Sequence, residues 1–267
     1  MPSVHTPSEY RVEFETEPIA VARPVEYTRE ISPSNSSNES QIIFDEEEFI
    51  RKVNDLMGIT QEVKELVPIK SPEEAKVGTT YIDFISSFRK YFPNIKVIKS
   101  PNEVESYDLI IVPGGEDISP SLYGEKNNYS YINPYRDNIE IPIVNQAIHL
   151  QKKIFGSCRG HQLINVLLGG KLYQDFVDEL GMDKMHSVSH NLENITDPTI
   201  GKYFGDISVV SMHHQAVKRT PLRITSTYKG IVESTTGKNI ITTQFHPEFA
   251  DDSKEFFNYI RSWSVSK

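Results

Sequence analysis

Lys152-Lys-Ile-Phe-Gly-Ser-Cys158-Arg-Gly-His-Gln-Leu-Ile-Asn-Val-Leu-Leu-Gly-Gly170 reads as a buried strand that turns sharply into a helix, with the only cysteine of the chain at its apex. Ile154 and Phe155 end a short apolar run, and Leu163, Ile164, Leu167 and Leu168 then recur at helical spacing. Gly156 and Gly160 flank Cys158 symmetrically. A strained turn with a reactive side chain at its tip leaves no room for Cβ atoms against the neighbouring strand and helix, and the two glycines meet that need. The pattern is a nucleophile elbow with cysteine in place of serine. A thiol there sits at a helix N-terminus, where unpaired N–H groups and the helix dipole favour the thiolate. The plainer reading makes Cys158 a small buried apolar residue, and the elbow alone does not decide between the two.

At 267 residues the chain is long enough for one α/β domain with a large core, plus an appendage. Its 37 acidic and 28 basic residues give a net charge of −9, which argues against nucleic-acid binding and for a small-molecule or protein partner. A single cysteine excludes an internal disulfide. The start, Met1-Pro-Ser-Val-His-Thr-Pro7, lacks the charged and apolar regions of a signal peptide, and no apolar run is long enough to span a membrane. These features place the chain in a reducing cytoplasm, where a free thiolate survives and the sequons at Asn35, Asn38, Asn128 and Asn194 carry no sugar.

Along the chain, residues 1–40 are Pro- and Ser-rich without apolar periodicity and read as a flexible arm. Residues 41–75 read as a helical extension, with Phe49, Ile50, Val53, Leu56 and Met57 as the apolar stripe of its main helix. From residue 76 to 267 the pattern is that of one domain. Lys76–Thr80 and Ile95–Ile98 are strand candidates, separated by a helix predicted over Tyr81–Tyr91 with Ile82, Ile85 and Phe88 on its buried face. Tyr107–Val112 is apolar like a strand covered on both faces, and it runs into Pro113-Gly-Gly115. Arg136, Asp137 and Glu140 fit one face of a helix start, by default as a local ion-pair cluster. Short strands at 207–212, 222–228, 231–234 and 240–245 follow, and a closing helix buries Phe256, Phe257, Ile260 and Trp263 behind a cap at Asp251. Alternating strands and helices followed by short strands predict an α/β fold with a mostly parallel central sheet, helices on both faces and an added antiparallel region near the C-terminus. His186 and His190 stand at a helical metal spacing, but no third ligand accompanies them, and neither a metal nor a cofactor is expected.

A thiolate nucleophile needs a base, and the base needs a third group to fix its tautomer. His246-Pro-Glu248 supplies both at the end of the last strand, where alternate residues of an extended segment point to one side. The N–H of Arg159, directly after the cysteine, and that of Gly115 are the candidate oxyanion donors.

Pro113-Gly-Gly, Gly156-x-Cys158-x-Gly160-x-Gln162 and His246-Pro-Glu248, in that order, resemble the class I glutamine amidotransferase superfamily. The runs Asp117-x-x-Pro120-x-x-Tyr-Gly124, Arg136-Asp137-x-x-Glu140, Cys158-Arg-Gly-His-Gln-Leu-Ile-Asn-Val166, Gly169-Gly-x-Leu-Tyr-Gln-Asp175 and His213-His-Gln-Ala-Val217 are similar to its γ-glutamyl hydrolase branch, the C26 peptidases. The resemblance covers about residues 76–263. It implies a flavodoxin-like sheet, a triad of Cys158, His246 and Glu248 that hydrolyses a γ-glutamyl amide through a thioester, and a glutamyl pocket bordered by Gln162, His213 and His214. Two enzymatic expectations stand side by side. One is a free-standing hydrolase of small γ-glutamyl conjugates; the other is a glutaminase subunit that passes ammonia to a separate ligase or synthetase. A non-catalytic binding module is the third reading, and a homodimer is compatible with each.

Overall fold

The central strand Leu109–Val112 is buried at every position, and its side chains divide between two cores. Ile110 and Val112 face one apolar cluster, Leu109 and Ile111 the other, as the two-residue period of a strand dictates. The computed structural model describes residues 70–182 and 189–266. The expected arm, the main helix of the extension and His186 lie outside these residues.

The strands in chain order are β1 (Val77–Thr79), β2 (Lys96–Val97), β3 (Leu109–Val112), β4 (Lys153–Ser157), β5 (Lys171–Tyr173), β6 (His190–Asn191), β7 (Ser208–Val209), β8 (Ala216–Arg219), β9 (Arg223–Tyr228), β10 (Ile231–Gly237) and β11 (Ile240–Thr243). The helices are α1 (Ile85–Arg89), α2 (Pro134–His149), α3 (Arg159–Leu167), α4 (Phe176–Leu180), α5 (Pro198–Phe204) and α6 (Lys254–Ser264). Seven strands form one sheet in the order β2-β1-β3-β4-β11-β10-β9. The first five are mutually parallel, and β10 and β9 extend the sheet antiparallel. The parallel part has the flavodoxin-like strand order, with β11 as its fifth member. Val144 and Ala147 of α2 and Leu163 and Ile164 of α3 pack one face. Phe88 of α1, Phe204 of α5, and Phe256, Phe257 and Ile260 of α6 pack the other, each burial contributing roughly 1.5–3 kcal/mol.

Four local expectations need correction. The helix predicted over Tyr81–Tyr91 is only Ile85–Arg89, because Phe84 takes a left-handed backbone (φ 59°) that cannot continue a helix. Ile82 is consequently 62% exposed rather than on a buried face. The segment after His214, read as loop, is the strand β8, paired antiparallel with β5. The strand expected over 207–212 shrinks to Ser208–Val209. Asp251 opens a short 3₁₀ turn, and the N-cap position of α6 falls to Ser253, whose side chain makes no capping bond. No helix among the described residues is long and apolar enough to cross a membrane.

The elbow is the tightest place in the fold. A Cβ on Gly160 would overlap the Val112 carbonyl, and one on Gly156 would lie 2.9 Å from the Gly160 backbone. Backbone on backbone leaves no flexible side chain to give way. Gly160→Ala is therefore expected to lower the unfolding free energy by about 3 kcal/mol in denaturant titration; a loss no larger than that of an exposed Gly→Ala change would show that the contact is soft.

Candidate active site

Cys158 lies between two strand ends. β4 carries it up to the sheet edge, its N–H donates to Thr243 O of β11 at 2.8 Å, and its own backbone (φ 49°, ψ −107°) is strained as α3 begins at the next residue. The side chain is 5% exposed. Its thiol donates toward Met212 O and accepts from Gln244 Nε2, each at 3.8 Å. Sequence reasoning did not pick out Gln244. It stands two residues before His246 at the same strand end, and that alternation was the available signal.

His246 follows β11, its N–H fixed on Val210 O at 2.8 Å. The segment is not extended as expected. Pro247–Phe249 is a 3₁₀ turn, which folds Glu248 back so that its Oε1 meets His246 Nδ1 at 2.7 Å. The carboxylate only accepts, so Nδ1 carries the proton and Nε2 is left to serve the thiol. Ser157, next to the cysteine, donates to the same Oε1 at 3.2 Å, and Glu248 is fully buried. The imidazole stacks on Phe249 (centroids 4.9 Å apart) and lies against Gly114, where a Cβ would come within 2.6 Å of its Cε1. Burial alone pulls the His246 pKa down. The charge of the Cys158 sulfur, a hydrogen bond between the two, and Glu248 together overcome it and push it up to about 10.

The Gly114–Gly115 turn follows β3, on the other side of β4. Arg136 Nη2 donates to Gly114 O at 2.7 Å and to Pro113 O at 3.3 Å. Gly115 has φ 152°, and a Cβ there would overlap the Arg136 guanidinium. Arg159 supplies its backbone N–H at the start of α3, while its side chain is buried against Asp137 and Glu140. The cluster expected from Arg136, Asp137 and Glu140 is thus formed, wholly buried, and joined by an arginine the sequence had marked only for its backbone.

Beside the thiol opens a cavity of about 890 Å³, lined by Tyr129, Tyr131, Asp175, Phe176, His213 and His214 among others. His213 is turned inward, its Nδ1 2.9 Å from Gln215 O and its Nε2 3.7 Å from the buried carboxylate of Glu233. His214 bridges Asp117 (2.8 Å) and Asp175 (3.3 Å). The Asp117 hydrogen bond raises its pKa, burial opposes, and Asp175 adds to the rise. Gln162 is buried behind the cysteine, its amide donating to Gln215 O at 3.0 Å and Gln244 Oε1 at 3.3 Å. The expected residues therefore fall into two groups, one around the sulfur and one in the cavity, with Gln162 in neither lining. No group of three or more His, Cys, Asp or Glu side chains among the described residues is arranged to hold a metal ion.

A model of the family described as Peptidase C26 matches residues 55–248. The chain belongs to the Peptidase C26 family. Its relatives include the glutamine amidotransferase-like protein YvdE of Lactococcus lactis, 30% identical over 68% of this chain and 85% of that protein. The γ-glutamyl-γ-aminobutyrate hydrolase PuuD of Escherichia coli is 27% identical over 53% of this chain and 64% of that protein. Among solved structures, a GMP synthase glutaminase-side protein from Thermoplasma acidophilum aligns with a TM-score of 0.50 at 15% identity, covering 70% of this chain and 94% of that one, a likeness of fold. Within the class I glutamine amidotransferase-like enzymes, this C26 chain is a hydrolase or amidotransferase.

A His246 pKa raised above its ordinary 6.5 stabilises the fold fully below about 6.5, and that contribution is lost as pH rises through about 10. In an NMR titration the His246 ring is expected to stay imidazolium at pH 8, and Glu248→Gln to bring its titration down. A wild-type ring already neutral at pH 8 contradicts the pairing.

Proposed function

We propose that the protein hydrolyses a γ-glutamyl amide, with Cys158 as nucleophile, His246 as proton carrier and Glu248 as the group that orients it. The observation that carries this reading is the line from Glu248 Oε1 through His246, held at 2.7 Å, to a cysteine on a strained elbow. The Cys158 thiolate attacks the amide carbon and forms a C–S bond, while the carbonyl oxygen gains the negative charge. The N–H groups of Gly115 and Arg159 receive that oxygen, a contribution of about 10² to 10³ in rate per donor. Collapse breaks the C–N bond, and the His246 imidazolium gives its proton to the leaving amine. Water then attacks the thioester as His246 takes its proton, releasing glutamate and restoring the thiolate–imidazolium pair. The 3.8 Å contacts of the sulfur belong to a resting site; catalytic hydrogen bonds tighten on substrate binding.

His213 and His214 border the substrate in this scheme, and Gln162 acts through Gln244. The cavity between the 127–131 loop and the Asp175–Asp178 segment receives the amine side. A reactive thiol places the protein in a reducing compartment.

A glutaminase component of a larger synthetase is the second reading. Ile82, Tyr131, Tyr135 and Met212 are all strongly exposed, and each adjoins a residue placed above at the site or its cavity. Exposed apolar residues grouped at a mouth suit a docking partner.

Purified protein is expected to release glutamate from γ-glutamyl amines without any partner, and Cys158→Ala to lower that rate by roughly 10⁴-fold or more. Wild-type turnover that survives in the variant removes Cys158 from its role. Silence of the lone wild type, relieved by an added synthetase, favours the docked reading instead.

A further inference from the structure

We propose that Glu140 is the positioning residue for both oxyanion donors, acting through Arg136 on the Gly115 N–H and through Arg159 on its own backbone N–H; the inference rests on the acyl-transfer reading above. Glu140 sits in the second turn of α2 and is fully buried. Its Oε2 accepts from Arg136 Nε at 3.0 Å and also from Arg159 Nη1, and its Oε1 accepts from Thr80 Oγ1 at 2.6 Å. One carboxylate thus ties together two arginines from different elements.

Each arginine holds one donor. Arg136 grips the Gly114 carbonyl at 2.7 Å, and in a trans peptide the N–H of the next residue points opposite to that carbonyl. Fixing Gly114 O therefore fixes the direction of the Gly115 N–H, away from the guanidinium. The remaining arms of Arg136 reach Glu116 at 3.0 Å and Asp83 at 3.6 Å, so the guanidinium cannot rotate without losing several bonds. Arg159 is the first residue of α3. With Nη2 on Asp137 at 2.5 Å and Nη1 on Glu140, its side chain anchors the helix start that carries its N–H.

The alternative is that the cluster merely fastens α2 to the elbow. Energetics disfavour that role as sufficient. Four charges almost fully removed from water are a poor way to gain stability, because desolvation offsets most of the attraction and apolar replacements of similar shape often fold as well. What such a cluster provides is fixed geometry at a place where charge develops during reaction.

Hydrolysis and alkylation separate these roles. Iodoacetamide loses iodide to the attacking Cys158 sulfur and builds no oxyanion, whereas amide hydrolysis does. Glu140→Gln and, as a milder second variant, Arg136→Lys, which keeps the charge but not the forked grip, are compared with wild type on a γ-glutamyl anilide. The expected result is a kcat about 10²-fold lower with KM little changed, and a Cys158 alkylation rate close to wild type. Parallel loss of hydrolysis and alkylation in the folded variants, or unchanged kcat in both, overturns the proposal. A wild type inactive on every γ-glutamyl compound overturns the acyl-transfer reading first and this inference with it.

Discussion

The close approach of Gly160 to the Val112 carbonyl is the constraint on which the rest of the site depends. In the sheet Val112 pairs with Gly156, and on the other side of β4 Thr243 pairs with Ser157. Cys158 is thereby seated between the carboxyl ends of two parallel strands, in register with both. One continues into the Pro113–Gly115 turn and the other into His246 within a few residues. A parallel sheet brings all of these ends to one edge, so groups separated by long stretches of chain meet with little loop in between. Close packing at the elbow turns that topological fact into a fixed geometry.

The site is built from buried polar groups whose partners are mostly fixed before any substrate arrives. His246 is held at its backbone by Val210, at Nδ1 by Glu248 and on its ring face by Phe249. Gln244 reaches the sulfur while Gln162 reaches Gln244. Groups already aimed at the place where charge appears need no reorganisation during the reaction, which is where electrostatic catalysis has its largest effect. The cavity side is different in character, with half-exposed His214 strung between two aspartates and tyrosines at the rim.

Much of this was legible in the chain itself, and what was not has a common cause. Short-range patterns carried the elbow, the doubly covered β3, the buried face of α6 and the mostly parallel sheet, because period, glycine placement and turn residues are local. The helix over Tyr81–Tyr91 failed because its first turns are pulled out of helical geometry by the left-handed Phe84, with Tyr81 lying under the Arg136 guanidinium at 4.4 Å. β8 was missed because its pairing with β5 spans a long stretch of chain. Arg136, Asp137 and Glu140 were seen as a cluster, but Arg159 was not seen to join them; a side-chain partner on another element leaves no periodic trace. The same holds for Gln244, whose partner sulfur lies on a different strand.

The central claim is that the sulfur of Cys158 is the atom that takes the γ-glutamyl group. A diazoketone analogue of glutamine, which alkylates a nucleophile only from within the glutamyl site, tests it most directly, with peptide mass mapping to locate the label. The account predicts one label per chain, on Cys158, with activity lost in proportion to labelling and protection by a γ-glutamyl substrate. Inactivation with the label on another residue, or full labelling of Cys158 with turnover intact, would contradict it.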